Sequence, residues 1–386
     1  MLPHPSVSAR IISIAIALFI SNSLSGQSLI NLAAVGWQRT DAMSLNNSGQ
    51  VVGSIFNGDT GSAVHHPFLY RNGAIEDLSA WNLSIGTVNG INDSGQFTGE
   101  KSNAVWPNQN NPYLYTNGVM TDLGTLGGAG GVGSAVSNNG KVTGMSYTRE
   151  GKQHGFVYHN GSMTDIGTLG GNFSMGFSIN DAGQVVGQSS LDDSGFNIHG
   201  FIYSNGVMTD LGTFGSTISG AYDINEAGEV TGFSVTADAK SRTILYKNGV
   251  TYDLGSLGGD SSVGQSINNF GVIVGQSSLA GTDSLFEDLH AFIYSDGSMR
   301  DLNTLYSGIM SDGLSIGFTQ LNYATSINDY GMITGIGTYF DGATYSRTAY
   351  LLDTRTSASV PDAFPTLVLF GLSVVNIAFA RRLFWR

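Results

Sequence analysis

Polar side chains able to do chemistry recur at matching points along this chain. One set, His66, Asn111, His154, His199, Arg242, His290 and Arg347, stands just before or within a short aromatic-containing segment. A second set, Asp77, Asp122, Asp165, Asp210, Asp253 and Asp301, follows that segment, with Asn31 in the corresponding place near the start. The histidines suggest a metal ring and the aspartates suggest acid–base pairs. Both suggestions weaken on inspection. A position that also accepts Asn and Arg has a repeated structural role rather than a ligand's. Side chains at the same site of successive repeats sit far apart, so they cannot form the close carboxylate pair that glycoside hydrolysis needs. The sequence predicts that the His/Arg positions bond loop backbone or a carboxylate, and that the aspartates bond those positions or turn amides. Gly215-Ser216 and similar pairs lack the G-x-S-x-G elbow. The GTLGG segments lack the following helix and Lys-Ser/Thr of a phosphate loop.

The elements that must position these groups are short strands. Asn72-Gly73, Asn117-Gly118, Asn160-Gly161, Asn205-Gly206, Asn248-Gly249 and Asp296-Gly297 are hairpin signals, because both central residues of a type I′ turn need positive φ. A second turn closes on Gly49, Gly95, Gly140, Gly183, Gly228, Gly271 and Gly331, spaced by 46, 45, 43, 45, 43 and 60 residues. In chain order each repeat offers a DLGTLGG strand, an SIN strand, a GQVVGQS strand and an HGFVY strand. Seven four-stranded units of this length predict an all-β fold, a seven-bladed β-propeller, over residues 27–356. A β-helix has shorter rungs and no need of Asn-Gly hairpins. Leu29–Gly36 matches a first strand without its predecessor, and Ala349–Leu351 a last strand without its successor. The N-terminal strand is therefore expected to complete the last blade and close the ring, removing an open edge. Small residues (Gly133-Ser134-Ala135, Ser219-Gly220-Ala221, Gly264) place the SIN strand at the crowded centre.

With 12% charged residues, 54 glycines and no cysteine, stability must come from burial between repeats, and thiolate-bound zinc or iron–sulfur clusters are excluded. Between Gln27 and Thr356 the chain carries 12 Lys/Arg against 28 Asp/Glu, a surface that repels nucleic acid. Residues 1–26 have the form of a secretory signal peptide: Arg10, the apolar run Ile11–Ile20, and small residues near Ser25. Residues 357–386 run from Val360-Pro361-Asp362 through the apolar stretch Leu367–Ala380, a short transmembrane segment, to Arg381-Arg382. This order resembles the PEP-CTERM sorting signals of Gram-negative bacteria, in a Val-Pro-Asp variant. The resemblance implies an exosortase-type partner, transient inner-membrane anchoring and delivery to the cell surface or matrix. The combination HxF–NG–DLGTLGG–INDxGxVVG, with Leu289-His290-Ala291-Phe292 among its copies, resembles the HAF repeat family of bacterial extracellular proteins. That family implies a repetitive β fold and a surface location, and no reaction.

Function is sought where the chain departs from its repeat. The crossover Tyr306–Asn322 holds Asp312, Phe318 and Gln320. Other loops hold Asp283, Phe286, Glu287 and Asp288, then Asp192-Asp193, then Trp106. All are expected on one long-loop face, where aromatic and amide groups suit sugars and clustered carboxylates suit Ca²⁺. The sequence thus favours a non-enzymatic interaction module for polysaccharide or surface proteins. The alternative is a carbohydrate-active lyase or hydrolase.

Overall fold

The computed structural model describes residues 27–33, 37–57, 64–81, 85–101, 110–281 and 288–355, together with a two-residue strand at Ala15–Ile16. The remainder of the segment 1–26, the segment 357–386, and with it the sorting-signal residues Val360, Pro361, Asp362, Arg381 and Arg382, lie outside the described residues.

The strands assemble as antiparallel sheets of four. The first is built from Arg39–Leu45, Val51–Asn57, Val64–Arg71 and Ala74–Asp77, with Ala15–Ile16 added at its outer edge. The next two repeat this order, from Gly90–Ile91 to Val119–Asp122 and from Gly127–Val136 to Ser162–Asp165. A twelve-stranded sheet follows; within it, three four-stranded groups are linked only by parallel bridges, Ile198 to Ile218 and Ser241 to Ser261. The last sheet takes Gly317–Ile327, Met332–Phe340 and Tyr345–Asp353, and its fourth strand is Ser28–Asn31 from the other end of the chain. Leu29 pairs with Leu352 and Ile30 with Leu351, and the Leu32 amide donates to the Ala349 carbonyl at 2.9 Å. Leu32 is fully buried among Ala42, Phe68 and Leu351, which ties the first sheet to the last.

The hairpins form as their Asn-Gly pairs require. Asn72 and Gly73 have φ of 51° and 79°, and Asn205 and Gly206 have 52° and 84°. The DLGTLGG segment is not one strand, however. Its aspartate is the last residue of the outer strand, as in Val119–Asp122, and its final glycines open the next inner strand, as in Gly127–Val136. The reason is local. The Asp122 carboxylate accepts from the Gly124 amide at 2.9 Å, and Asp165, Asp210 and Asp253 do the same to Gly167, Gly212 and Gly255. Such a side-chain turn ends the strand and reverses the chain.

Inner strands touch one another in chain order, and Gly317–Ile327 touches Arg39–Leu45, so the contacts run around a closed ring. The core lies between successive sheets. Phe68, Phe156, Phe201 and Phe292 are fully buried at equivalent places, each packed with apolar residues beside the turns.

Candidate functional site

The repeated polar sets bond each other. His66, His154 and His290 meet Asp77, Asp165 and Asp301 at 2.8 Å, His199 meets Asp210 at 2.9 Å, and the Asn111 amide donates to Asp122 at 3.0 Å. Each of these aspartates holds both a ring nitrogen or side-chain amide and a backbone amide of the turn that follows, so the pairs are fasteners of the outer hairpin. Asp301, pulled down by His290 and Asn303 against its own burial, sits below the usual carboxylate range. The Arg positions behave differently. Arg242 donates to the carbonyls of Ser241 and Asp260, and Arg347 lies over the Tyr323 ring at 5.2 Å.

The residues singled out in the variable loops that the structure describes are Asp192, Asp193, Asp288, Asp312, Phe318 and Gln320. Trp106, Asp283, Phe286 and Glu287 lie outside the described residues. Asp192 is held by the Ser194 amide and the Asn197 side chain, which lower its pKa; Asp193 and Asp288 are exposed. Asp312 turns its own loop by accepting from the Leu314 amide at 2.9 Å. Phe318 and Gln320 are not loop residues at all, because the crossover shortens to a helical turn, Leu302–Leu305, a 3-10 turn, Ser307–Ile309, and then the strand Gly317–Ile327. Phe318 is 3% exposed and packs edge-on against Tyr350, so its ring belongs to the core. Among the described residues no group of three or more His, Cys, Asp or Glu could hold a metal ion, and no helix is long and apolar enough to cross a membrane.

The structure concentrates polar groups on the axis instead. At six of the seven inner turns an asparagine caps its own loop: Asn46 Oδ1 accepts from the Ser48 and Gln50 amides at 3.1 and 2.9 Å. Its Nδ2 reaches the next turn, donating to the Asn92 carbonyl at 2.9 Å. Asn92 donates to Ser137, Asn180 to Asn225, Asn225 to Asn268, Asn268 to Asn328, and Asn328 back to Asn46, at 2.8–3.2 Å. Ser137 lacks the amide; there Asn139 and Lys141 both donate to the Asp181 carbonyl at 2.7 Å. A second circle runs outside the first, in which a turn amide donates to the neighbouring turn's side chain: Asn47 to Asp93, Asp93 to Asn138, Glu226 to Asn269, Asn269 to Asp329 and Asp329 to Asn47.

Below these turns every described inner strand except the short Gly90–Ile91 bends by the same device, a bulge. Register slips between Ala42 and Ser44, Gly133 and Ala135, Gly176 and Ser178, Ala221 and Asp223, Gly264 and Ser266, and Ala324 and Ser326. A bulge re-aims the residue that follows it. Here it brings Ser44, Ala135, Ser178, Asp223, Ser266 and Ser326, with Gly90, to one constriction on the axis. A cavity of about 200 Å³ opens from this constriction toward the turns. Another, about 140 Å³, lies on its other side, with Met43, Asn89, Phe177, Tyr222, Gln265 and Thr325 in its wall. Phe177 and Tyr222 meet edge to face at 5.4 Å.

Asp223 is the only charged residue at the constriction. One oxygen accepts from Ser178 Oγ at 2.7 Å and the Ile224 amide at 2.9 Å; the other accepts from Ser266 Oγ at 2.8 Å and the Ile267 amide at 2.9 Å. Asp223 is not among the residues the sequence reading singles out. The available signal was a carboxylate before Ile224 where the corresponding residues are serine, alanine or glycine. Burial pushes its carboxyl above the usual range, against those four hydrogen bonds. The folded chain therefore binds this proton more tightly than the unfolded chain does. The contribution of Asp223 to stability falls as pH rises from about 4 through its raised value. Asp223→Asn removes that titration. The stability of the parent minus that of the variant should decrease as pH rises from about 4, measured by urea denaturation. A pH-independent difference would show that burial does not perturb this group.

No family model matches the sequence, and no curated protein matches it. Among solved structures, the β-propeller domain of the Trilobed protease from Pyrococcus furiosus, described as having an open velcro topology, aligns with a TM-score of 0.51. The alignment covers 84% of this chain and 100% of that one at 10% identity. TolB from Acinetobacter baumannii aligns at 0.39, with 13% identity over 80% of each chain. A variant of the Aleuria aurantia lectin in complex with Fucα1-6GlcNAc aligns at 0.32, with 16% identity over 70% of this chain and 95% of that one. The last two are too distant to carry an argument. The first, taken with four-stranded sheets set around a closed ring of contacts, shows that this chain has a β-propeller fold.

Proposed function

We propose that this chain is a seven-bladed propeller, closed by its own N-terminal strand, that is exported and works as a non-enzymatic binding module for polysaccharide. The blade count is supported by the sevenfold recurrence of the inner turn and by the pairing of Ser28–Asn31 with Tyr345–Asp353. Export and sorting by an exosortase-type enzyme rest on the two terminal segments of the sequence.

The observation that carries binding over catalysis is the state of Asp223. All four of its hydrogen bonds come from serine hydroxyls and backbone amides, so both oxygens are engaged and no titratable partner stands ready to exchange a proton. Around it, the phenol of Tyr222, the Phe177 ring and the amides of Asn89 and Gln265 supply a small aromatic and polar surface of the kind that orients a ligand. Binding of the full chain, purified in mild detergent, to an array of polysaccharides and oligosaccharides tests the reading. Retention of at least one without release of shorter products supports it. Depolymerisation of a bound polymer would instead favour the lyase or hydrolase alternative.

A further inference from the structure

One cavity formed by the described residues breaks the repeat. It measures about 310 Å³ and lies between the first sheet and the second, lined by Gln50, Arg71, Trp81, Asp93, Tyr115 and Asn117 among others. Two of these residues are substitutions peculiar to the first unit. Where it has Arg71, the next ones have Thr116, His159, Ser204, Lys247 and Ser295. Where it has Trp81, they have Leu126, Leu169, Phe214, Leu257 and Leu305. The indole leans on Tyr115, 5.4 Å between ring centres, and Tyr115 stacks on Phe97 at 4.3 Å, so the aromatic wall is braced from behind. Arg71 is held as a fork by Glu76, with Nε to Oε1 at 2.6 Å and Nη2 to Oε2 at 3.0 Å.

We infer that this cleft binds a neutral monosaccharide unit, free or as part of a longer glycan. A sugar ring has an apolar C–H face and an edge of hydroxyls that both donate and accept. Trp81 and Tyr115 offer aromatic surface to the first. The guanidinium, the Gln50 and Asn117 amides and the Asp93 carboxylate offer donors and acceptors to the second. The Arg71–Glu76 pair is internally compensated, so the cleft presents hydrogen-bonding groups without an excess positive charge, which favours a neutral sugar over an anionic one. Asp93 also lines the axial cavity, so a chain of sugars seated here would continue toward the axis across one shared residue.

The inference rests on the saccharide-binding reading and names one of its subsites. Calorimetric titration of the full chain in mild detergent with the methyl glycosides of glucose, galactose, mannose and fucose tests it, alongside the polysaccharide array. At least one glycoside should bind with a dissociation constant of about 0.1–10 mM, and Arg71→Met should weaken it at least tenfold. Trp81→Ala should do the same; because Trp81 packs on Phe97 and Tyr115 this variant can lose its fold, and the exposed Arg71 side chain provides the independent check. Polysaccharide binding with no glycoside bound, or glycoside binding untouched by Arg71→Met, would overturn the cleft assignment and leave the module reading standing. Failure of every glycan to bind would overturn both.

Discussion

Gly187→Ala is expected to destabilise the chain by about 3 kcal/mol, the upper end of what overpacking usually costs and a large fraction of the stability of an ordinary domain. The position is the last glycine of the VVG segment in Val185–Ser190, opposite the bulge of the inner strand. A methyl group built there runs into the carbonyl oxygen of Met175 and comes within 3.0 Å of the Phe201 ring. Neither neighbour can yield. The carbonyl is part of the sheet, and Phe201 is fully buried in the core cluster with Ile179 and Val185. The comparison that isolates this cause is Gly206→Ala, in the hairpin turn. Gly206 has φ of 84° and open space where a methyl would go, so only backbone strain remains, about 1–2 kcal/mol. Urea denaturation should therefore rank Gly187→Ala far below Gly206→Ala. Equal losses would mean that the bulge adjusts to admit a side chain.

Asn328→Ala should cost about 3 kcal/mol, because three bonds vanish around a side chain that is 4% exposed. Its Oδ1 accepts from the Tyr330 and Met332 amides at 3.0 and 2.9 Å, and its Nδ2 donates to the Asn46 carbonyl at 3.0 Å. The last bond matters for closure, since it joins the final inner turn to the first across 282 residues of sequence. Asn328→Ser should be milder, about half the loss. Serine at the equivalent Ser137 still accepts from the Lys141 amide, although it cannot reach the neighbouring turn. Hydrogen exchange should show the alanine variant loosening Ser28–Asn31 and Tyr345–Asp353 before other strands. Uniform loosening would indicate that closure depends on the apolar contacts of Leu32 rather than on this ring.

The legible part of the candidate site was the part repeated in sequence. The expectation that the His/Arg positions and the strand-end aspartates serve one another matches His154 with Asp165 and His199 with Asp210, because both members lie on one hairpin whose register the Asn-Gly turn sets. Arg242 takes the other expected partner, backbone, through the Ser241 and Asp260 carbonyls, while Arg347, whose sheet has Asn31 in place of the aspartate, lies over the Tyr323 ring. Asp192 and Asp312 lie in loops, but Phe318 and Gln320 lie within the strand Gly317–Ile327, since loop length alone does not tell where a strand resumes. Phe318 fills a place against Tyr339 and Tyr350 that only the assembled last sheet creates.

By itself, the sequence determined the short strands and the tight turns between them, which follow from φ preferences and alternation within a few residues, and the pairing of first strand with last, which follows from each end of the repeat array lacking the strand that the other supplies. Only the tertiary structure decided what stands on the axis. Asp223 meets Ser178 and Ser266 across 45 and 43 residues, and Asn328 meets Asn46 across 282, contacts that exist only once the sheets have closed on themselves. The cleft at Trp81 and Arg71 has the same origin: its walls come from two sheets, and neither sheet alone encloses a cavity.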